Sequence, residues 1–261
     1  MNKKKIFDIS AKYYDYIYKK KNYSKETNFV SEFFSHKKEK IKILDLGMGT
    51  GGHLINLIKK GYLVDGVELS NEMIKFAKKK LKKNKLQKNY KIYNNDIVKF
   101  KGKKNNYEVA ISLFHVINYI NNFNSLKLFF LNTFDTLKDH GILIFDCWNN
   151  EIVKKNIMKN TKKIFFFRNY KIIRSGNIEV KNKSNIDVSY IFRIYKKGKL
   201  INIFNEKHNL YSFTKSQILK AAKNKFLLVN NCRWFNKEES PSRKDFSSLY
   251  IFKKKLKTIN E

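Results

Sequence analysis

The chain has 261 residues, of which 42% are hydrophobic and 15% aromatic, and its 56 lysines and arginines against 22 acidic residues give a formal net charge of +34. This length supports one sizeable core, and two cysteines without metal-ligand spacing exclude a disulfide scaffold and give no reason to expect a bound metal. Because no stretch approaches the ~18 apolar residues of a membrane-spanning helix, we expect a cytoplasmic protein with no membrane partner.

The first 160 residues divide into a helical start and an alternating region. Aromatic and apolar residues at helical spacing predict two short helices in residues 1–40, which we expect to form an N-terminal lid. Across residues 41–160, short apolar runs alternate with amphipathic segments, which predicts a parallel sheet covered on both faces. The predicted strands of this core are Ile41–Leu46, Tyr62–Glu68, Tyr90–Asn94, Tyr107–Leu113 and Gly141–Cys147, and the predicted helices are His53–Lys60, Asn71–Lys83 and Phe123–Lys138.

The hydrophobic period changes to two between Lys162 and Tyr211, which predicts antiparallel strands. We interpret residues 161–212 as a β-rich insertion that either caps an acceptor or contacts a second copy in a homodimer. Residues 213–261 then complete the core with a helix that Thr214 caps and two closing strands, Phe226–Asn230 and Leu249–Lys253. The predicted fold is a Rossmann-like, doubly wound, mostly parallel α/β sheet of seven strands with an N-terminal helical lid and an antiparallel insertion.

The most specific segment is the glycine-rich run IKILDLGMGTGGHL at Ile41–Leu54. Gly47, Gly49 and Gly51 follow a predicted strand, where glycine lets the backbone turn sharply and lie against a ligand. This arrangement predicts a site for a nucleotide-type cofactor. Gly47, Gly49 and Gly52 also satisfy the dinucleotide pattern G-x-G-x-x-G, so the glycines alone leave NAD and S-adenosylmethionine (SAM) open.

Three acidic residues favour SAM. Asp45 directly precedes the loop, where a carboxylate repels a pyrophosphate but suits the ammonium and sulfonium cations of SAM. Glu68 ends the second predicted strand, where its oxygens can accept the hydroxyls of a ribose, and Asp96 follows the third, where it can accept the exocyclic amine of adenine. Each acid alone could be a loop cap, a solvated strand end or a turn cap, and their joint placement at one sheet edge favours the cofactor.

These residues resemble class I SAM-dependent methyltransferases over Ile41 to about Trp148, through LDLGMGTG at the loop, GVELSNEMIKFAKKK, NNDI and GILIFDCW. The resemblance implies that SAM is the methyl donor and that the family's donor contacts carry over to matching positions. These positions are Asp45, Gly47, Gly49 and Gly51 at the loop, Glu68 at the ribose, Asp96 with Ile97 at the adenine, and also Leu69 and Leu113.

Several segments further resemble the small-molecule branch that methylates amino groups of nucleotide-linked sugars, together with related enzymes of surface-polysaccharide synthesis. They are KYYDYIYKKKNYSKE, SLFHVINYI, DCW, the strand-rich insertion and NEKHNLYSFTKSQI. In that branch the N-terminal tyrosines fold over the donor, which makes Tyr14 and Tyr23 candidate donor contacts, whereas the alternative is that both are ordinary core aromatics. The resemblance implies a small-molecule acceptor, a sugar nucleotide or a surface-glycan precursor.

Methyl transfer from a sulfonium needs alignment and exclusion of water, with a base only to supply a neutral amine or an oxyanion. His115 follows the fourth predicted strand and is a candidate base, with a purely structural histidine under the loop as the alternative. Glu206 and His208 lie two residues apart in an extended run, so they share a face, either as a catalytic pair or sugar contact or as an exposed ion pair on an edge strand. Asp146 and Trp148, at the end of the fifth strand, are expected to meet the acceptor.

Two other functions stay open. The basic charge suits a nucleic-acid (RNA) methyltransferase, although only five of the basic residues are arginines, the side chain preferred for phosphate and guanine recognition. The segment SLFHVINY also lacks the Asp/Asn-Pro-Pro-aromatic signature common in methyltransferases that act on bases. A non-catalytic SAM-binding or NAD-binding Rossmann protein would share the glycine loop. The three acids favour SAM over NAD, but they argue only weakly against a non-catalytic SAM-binding domain, because binding and catalysis share them.

Overall fold

The structure, a computed structural model, describes residues 6–35, 41–86, 90–151, 160–182 and 184–256. A 3-10 turn spans Val116–Tyr119. None of the described helices is both long and apolar enough to cross a membrane. The elements in chain order are α1 (Ala11–Ile17), α2 (Tyr23–Ser31), β1 (Lys42–Leu46), α3 (Gly52–Lys59), β2 (Leu63–Glu68), α4 (Asn71–Lys83), β3 (Ile92–Asn94), β4 (Tyr107–Ser112), α5 (Phe123–Thr136), β5 (Leu137–Trp148), β6 (Asn160–Phe167), β7 (Tyr170–Val180), β8 (Asn185–Lys196), β9 (Lys199–Tyr211), α6 (Lys215–Ala222), β10 (Phe226–Cys232) and β11 (Ser247–Lys254).

The central sheet has seven strands in the order β10-β11-β5-β4-β1-β2-β3. Strands β1 to β5 run parallel, whereas β11 is antiparallel to both β5 and β10. The order reverses beside β1, and open α/β sheets bind ligands at such a point, outside the carboxyl ends of the strands. This arrangement confirms the predicted Rossmann-like, mostly parallel sheet.

Helices cover both faces of the central sheet because successive strand side chains point to opposite sides. Ile43 of β1 packs in a cluster that includes Leu54 of α3 and Ala77 of α4. Its neighbour Leu44 packs in a second cluster with α5, which includes Phe129. Every one of these five side chains is fully buried, so β1 is covered by helices on both of its faces.

Polar caps mark where strands turn into helices at the carboxyl edge. The Ser70 hydroxyl accepts a hydrogen bond from the Met73 N–H at 3.3 Å and starts α4 directly after β2. Thr214 and Gln217 form a capping box at the start of α6, as the predicted cap at Thr214 implies. The Ser70 cap keeps the connection from β2 to α4 short, so the carboxyl end of β2 lies close to the start of α4, whereas the Thr214 cap follows a strand outside the central sheet.

The antiparallel insertion forms a second sheet of four strands in the order β6-β7-β8-β9. One face of this second sheet packs on α1, where Tyr13 and Ile17 contact Ile172, Phe192 and Ile194. The predicted period of two in this part of the chain is therefore confirmed as an antiparallel meander. Because α1 also contacts α4, the second sheet is held above the carboxyl edge of the central sheet.

Candidate active site

A cavity of about 580 Å³ lies between the carboxyl edge of the central sheet, the N-terminal helical segment (residues 6–35) and the second sheet. This volume is typical of sites that enclose small molecules. Both walls contribute polar groups to this one cavity. The predicted site residues that line it are Tyr14, Tyr23, Gly47, Gly49, Glu68, Leu69, Asp96, Ile97, Leu113, His115, Glu206 and His208.

Two glycines with positive φ shape the loop after β1. Gly47 has a φ of 87°, and a Cβ there would lie 2.5 Å from Val116 Cγ1, so only glycine lets the loop pass beneath the 3-10 turn. Gly49 also has a positive φ, of 55°, but a Cβ at this position would meet nothing within 4 Å. Gly49 lines the cavity, so the space beside its Cα is part of the cavity, and any side chain at this position would begin to fill that open cradle.

Glu68 and Asp96 face the same cavity as this loop. The Glu68 carboxylate accepts the Gly49 N–H at 3.0 Å and the Ser70 N–H at 2.8 Å, and its burial raises its pKa. Asp96 Oδ1 accepts the Val98 N–H at 2.9 Å, so this residue caps a turn and also lines the cavity. The two carboxylates thus flank one space beside the glycine loop, at the ends of neighbouring strands.

Asp45 and Gly51 do not line the cavity, which corrects the expectation of direct contact from both. Asp45 is only 1% exposed, and its burial together with the charge of Glu68 raises its pKa to about 7. Gly51 has a φ of 78° at the start of α3, and a Cβ there would lie 3.4 Å from Ala77 Cβ. This glycine therefore serves the packing of α3 on α4.

The polar groups beside the loop fit a cationic nucleoside. Asp45 Oδ2 is buried without a hydrogen-bond partner, and no cation pairs with Asp45 or Glu68 within the described ranges. Buried carboxylates without a countercharge are costly, and a cationic ligand would lower that cost, whereas a pyrophosphate would raise it. Together with the open cradle at Gly49, this charge pattern fits SAM and disfavours NAD.

His115 is held over the cavity by the strained loop that follows β4. Phe114 and His115 have φ values of 72° and 61°, which non-glycine residues rarely adopt. The His115 N–H donates to Asp146 Oδ1 at 2.9 Å, and Trp234 Nε1 donates to Asp146 Oδ2 at 3.3 Å. Asp146 is only 2% exposed and holds the His115 loop from below without lining the cavity, whereas Trp148 lines it.

The His115 imidazole is available as a proton acceptor. Its Nε2 has no hydrogen-bond partner and lies 3.5 Å from Asp146 Oδ2. Burial lowers the pKa of His115 and nearby Lys21 adds to this effect, while Asp146 opposes it. His115 lines the cavity, and a neutral imidazole at such a place can accept a proton from an ammonium or a hydroxyl.

The second sheet contributes a buried polar group opposite the glycine loop. Glu206 and His208 are 9% and 4% exposed, so they are not the exposed ion pair that an edge strand would give. His208 Nε2 lies 2.9 Å from Glu206 Oε1, and its Nδ1 shares a hydrogen bond of 2.8 Å with the Tyr119 hydroxyl. Tyr119 was missed in the sequence, although its place four residues after His115, in one short turn, could have pointed to it.

Polar contacts between the N-terminal segment and the core are a second feature that sequence reasoning missed. The Thr50 hydroxyl and Lys80 Nζ both donate to Asp15 Oδ1, at 2.7 and 2.8 Å. Glu26 Oε2 lies 2.6 Å from His53 Nε2, which is buried at the start of α3. These contacts bring the Tyr14 and Tyr23 rings over the glycine loop, so the segment roofs the cavity.

Comparison with known proteins agrees with the geometry. A family model described as a methyltransferase domain matches residues 43–141. The chain is 31% identical over 145 residues to "Putative methyltransferase YqeM" of Bacillus subtilis (strain 168), a match of 54% of this chain and 55% of that protein. The chain thus spans about half the length of the curated relatives it matches.

Solved structures share the whole fold at low sequence identity. An S-adenosylmethionine-dependent methyltransferase from Clostridium acetobutylicum ATCC 824 is 20% identical, with a TM-score of 0.80 over 93% of this chain and 96% of that one. CalS10 of Micromonospora echinaspora, an amino pentose methyltransferase solved with SAM bound, is 15% identical, with a TM-score of 0.74 over 94% and 96%. Residues 43–141 therefore match the family described as a methyltransferase domain, and the chain shares its fold with these two solved methyltransferases.

Proposed function

We propose that this protein is an enzyme that transfers the methyl group of SAM to a nitrogen or oxygen of a small molecule, an amino sugar nucleotide or a surface-glycan precursor. The observation that carries this proposal is the placement of Glu206 and His208. They face the cavity from the second sheet, while Glu68 and Asp96 face it from the central sheet. One enclosed chamber therefore holds a donor side and an acceptor side.

The donor side is built from the carboxyl edge of the central sheet. Glu68 would accept the ribose hydroxyls and Asp96 the adenine amine, while Gly49 leaves room for the backbone to approach the ligand. Asp45, one layer behind, would offset the positive charge. When bound, SAM supplies a methyl group already activated by the sulfonium. The chain's own task is to hold the two reactants in line and to exclude water.

The acceptor side offers two imidazoles that can take a proton. His115 lies beside the donor loop, because the turn that follows it packs on Gly47. His208 is connected to the same turn through the Tyr119 hydroxyl. Glu206 beside His208 would hold an amino group or stabilise the imidazolium that forms when His208 accepts a proton. The amino pentose specificity of CalS10 belongs to that protein, and here it supports an amino sugar as the acceptor class.

The same proposal assigns a role to each part of the chain. Residues 1–40 act as the lid, 41–160 as the SAM-binding core, 161–212 as the acceptor cap and 213–261 as the completion of the core. Enclosure of the cavity by β6–β9 supports the cap role over a homodimer contact for the insertion. Both cysteines, Cys147 and Cys232, are free and buried, which suits a reducing compartment such as the cytoplasm.

A transfer assay with SAM labelled in its methyl group tests the function. Amino sugar nucleotides, free amino sugars and oligonucleotides are offered in parallel, and we expect label only in the sugars. Replacing either His115 or His208 by Ala should lower turnover by about 100-fold, the usual contribution of a general base, at unchanged donor affinity. His140→Ala is the matched control, because His140 is exposed and lies away from the cavity. Labelled oligonucleotide, or full turnover in both variants, would contradict the proposal.

A further inference from the structure

The cavity-facing side of the second sheet carries two basic residues that the proposed chemistry does not use. Arg174 of β7 and Lys163 of β6 are direct cross-strand neighbours, and both line the cavity. Like charges directly opposite one another destabilise a sheet, so their juxtaposition is an energetic cost in the protein alone. An anion bound between them would remove that cost.

Arg174 is half-buried and has no acidic partner within the described ranges. Its Nη1 donates to the Tyr18 hydroxyl at 3.1 Å, and its guanidinium lies 4.8 Å from the centre of the Tyr190 ring and 5.5 Å from that of Phe165. Aromatic rings on several sides fix the guanidinium plane and limit its hydration. A guanidinium has five N–H donors, so most of them stay available to a ligand in the cavity.

The basic pair lies at a defined place relative to the imidazole of His208. Tyr190 connects the two, because its ring centre lies 5.4 Å from that of His208 on one side and packs under Arg174 on the other. Because Tyr190 lies 4.8 Å from the Arg174 guanidinium and 5.4 Å from the His208 ring, the guanidinium and the imidazole are at most about 10 Å apart. A ligand that contacts both Arg174 and His208 would therefore hold its anionic group within about 10 Å of its atom at the His208 imidazole.

We propose that Arg174 and Lys163 form a subsite for a phosphate group of the acceptor. Two positive charges side by side match a dianionic phosphate better than a single carboxylate, and the planar fork of arginine binds two phosphate oxygens at once. The inference rests on the proposed function, since it takes the second sheet to be the acceptor side of the cavity. It narrows the acceptor class to small molecules that carry a phosphate or diphosphate.

Calorimetry with glucosamine 1-phosphate and with glucosamine tests the subsite, using the full chain saturated with S-adenosylhomocysteine. We expect the phosphate form to bind about tenfold or more tightly than glucosamine, and Lys163→Met and Arg174→Met each to remove about that advantage. Lys162→Met and Arg193→Met are matched controls. Lys162 lies beside Lys163 on β6 and Arg193 lies on β8 of the same sheet, and neither residue lines the cavity. Lys163 is exposed, so its variant keeps the fold even if Arg174→Met does not.

The outcomes separate this inference from the function on which it rests. The subsite would be overturned if the two sugars bound equally well. It would also be overturned if the control variants lost as much affinity for glucosamine 1-phosphate as Lys163→Met does. S-adenosylhomocysteine binding without any phosphate preference would overturn the subsite alone. A phosphate preference in a protein that binds no S-adenosylhomocysteine would instead overturn the proposed function.

Discussion

Two glycines of the donor loop share a left-handed backbone for different reasons. At Gly47 the neighbouring Val116 side chain leaves no room for a Cβ, so the requirement is one of packing. At Gly49 the space is open, so the requirement comes from the left-handed backbone and from the ligand that is to lie there. The G-x-G pattern in the sequence does not separate these two requirements, whereas the structure does.

Gly49→Ala should therefore weaken donor binding more than it weakens the fold. We expect a loss of about 1–2 kcal/mol in the free energy of unfolding, from backbone strain, and a clear loss of affinity for S-adenosylhomocysteine because the methyl group enters the cradle. Gly198→Ala is the control, because Gly198 has a φ of 79° with equally open space but lies outside the cavity. Similar affinity in the two variants, measured by calorimetry, would contradict the role of Gly49.

Asp45 should leave a signature in the pH dependence of stability. Burial raises its pKa from 3.8 to about 7, so between these values the folded protein holds a proton that the unfolded chain releases. Stability contributed by this group is therefore present at low pH and is lost as pH rises towards about 7 and above. Asp45→Asn removes the titration, so the variant should gain stability relative to the wild type between about pH 5 and about pH 8.

Urea unfolding at these two pH values measures the effect. Asp139→Asn serves as the control, since the Asp139 side chain is 68% exposed. A difference between wild type and Asp45→Asn that stays constant with pH would show that Asp45 is not a buried, proton-binding carboxyl.

At the scale of elements, most strands and helices follow from local patterns. Helix α4 has the predicted bounds, because Ser70 caps it and its apolar residues repeat at helical spacing along one face. Strand β5 is longer than predicted, since it begins at Leu137, four residues before the apolar run at Gly141. Its polar start has no strand pattern, and only pairing of Leu137 with Tyr107 of β4 extends it.

The attachment of the N-terminal segment could not be predicted from the sequence. His53 stands in a polar stretch at a helix start, and its partner Glu26 is 27 residues away. Neither residue belongs to a periodic pattern, so no local signal connects them. Long-range polar contacts of this kind depend on the tertiary arrangement, which the hydrophobic pattern specifies only in outline.

These contacts predict a measurable role for the N-terminal segment. Glu26→Gln removes the negative charge from the largely buried contact with His53, and we expect about tenfold weaker binding of S-adenosylhomocysteine together with faster hydrogen exchange in residues 6–35. Glu32→Gln is the matched control on the same segment, because its contact with Lys237 is half-exposed and contributes little. If the two variants behave alike, the segment is not what retains the donor.

At the scale of the whole molecule, the fold and the carboxylates at the carboxyl edge of the central sheet were predictable, and the polar groups of the second sheet were only partly so. Glu68 and Asp96 each follow a strand of a parallel sheet, and topology alone brings such positions to one edge. Arg174 and Lys163 come from the second sheet, whose position above that edge depends on packing with α1. The net charge of +34 does not reveal them, because basic residues occur along the entire chain.

The central claim is that one cavity binds SAM through carboxylates at two strand ends. Calorimetry with S-adenosylhomocysteine and with NAD, on the wild type, Glu68→Gln and Glu72→Gln, tests it most directly, since Glu72 is an acid of the neighbouring helix whose side chain is 40% exposed. The account predicts that S-adenosylhomocysteine binds and NAD does not, and that only Glu68→Gln weakens binding, by about tenfold or more. Binding of NAD alone, or unchanged binding of S-adenosylhomocysteine by Glu68→Gln, would contradict it.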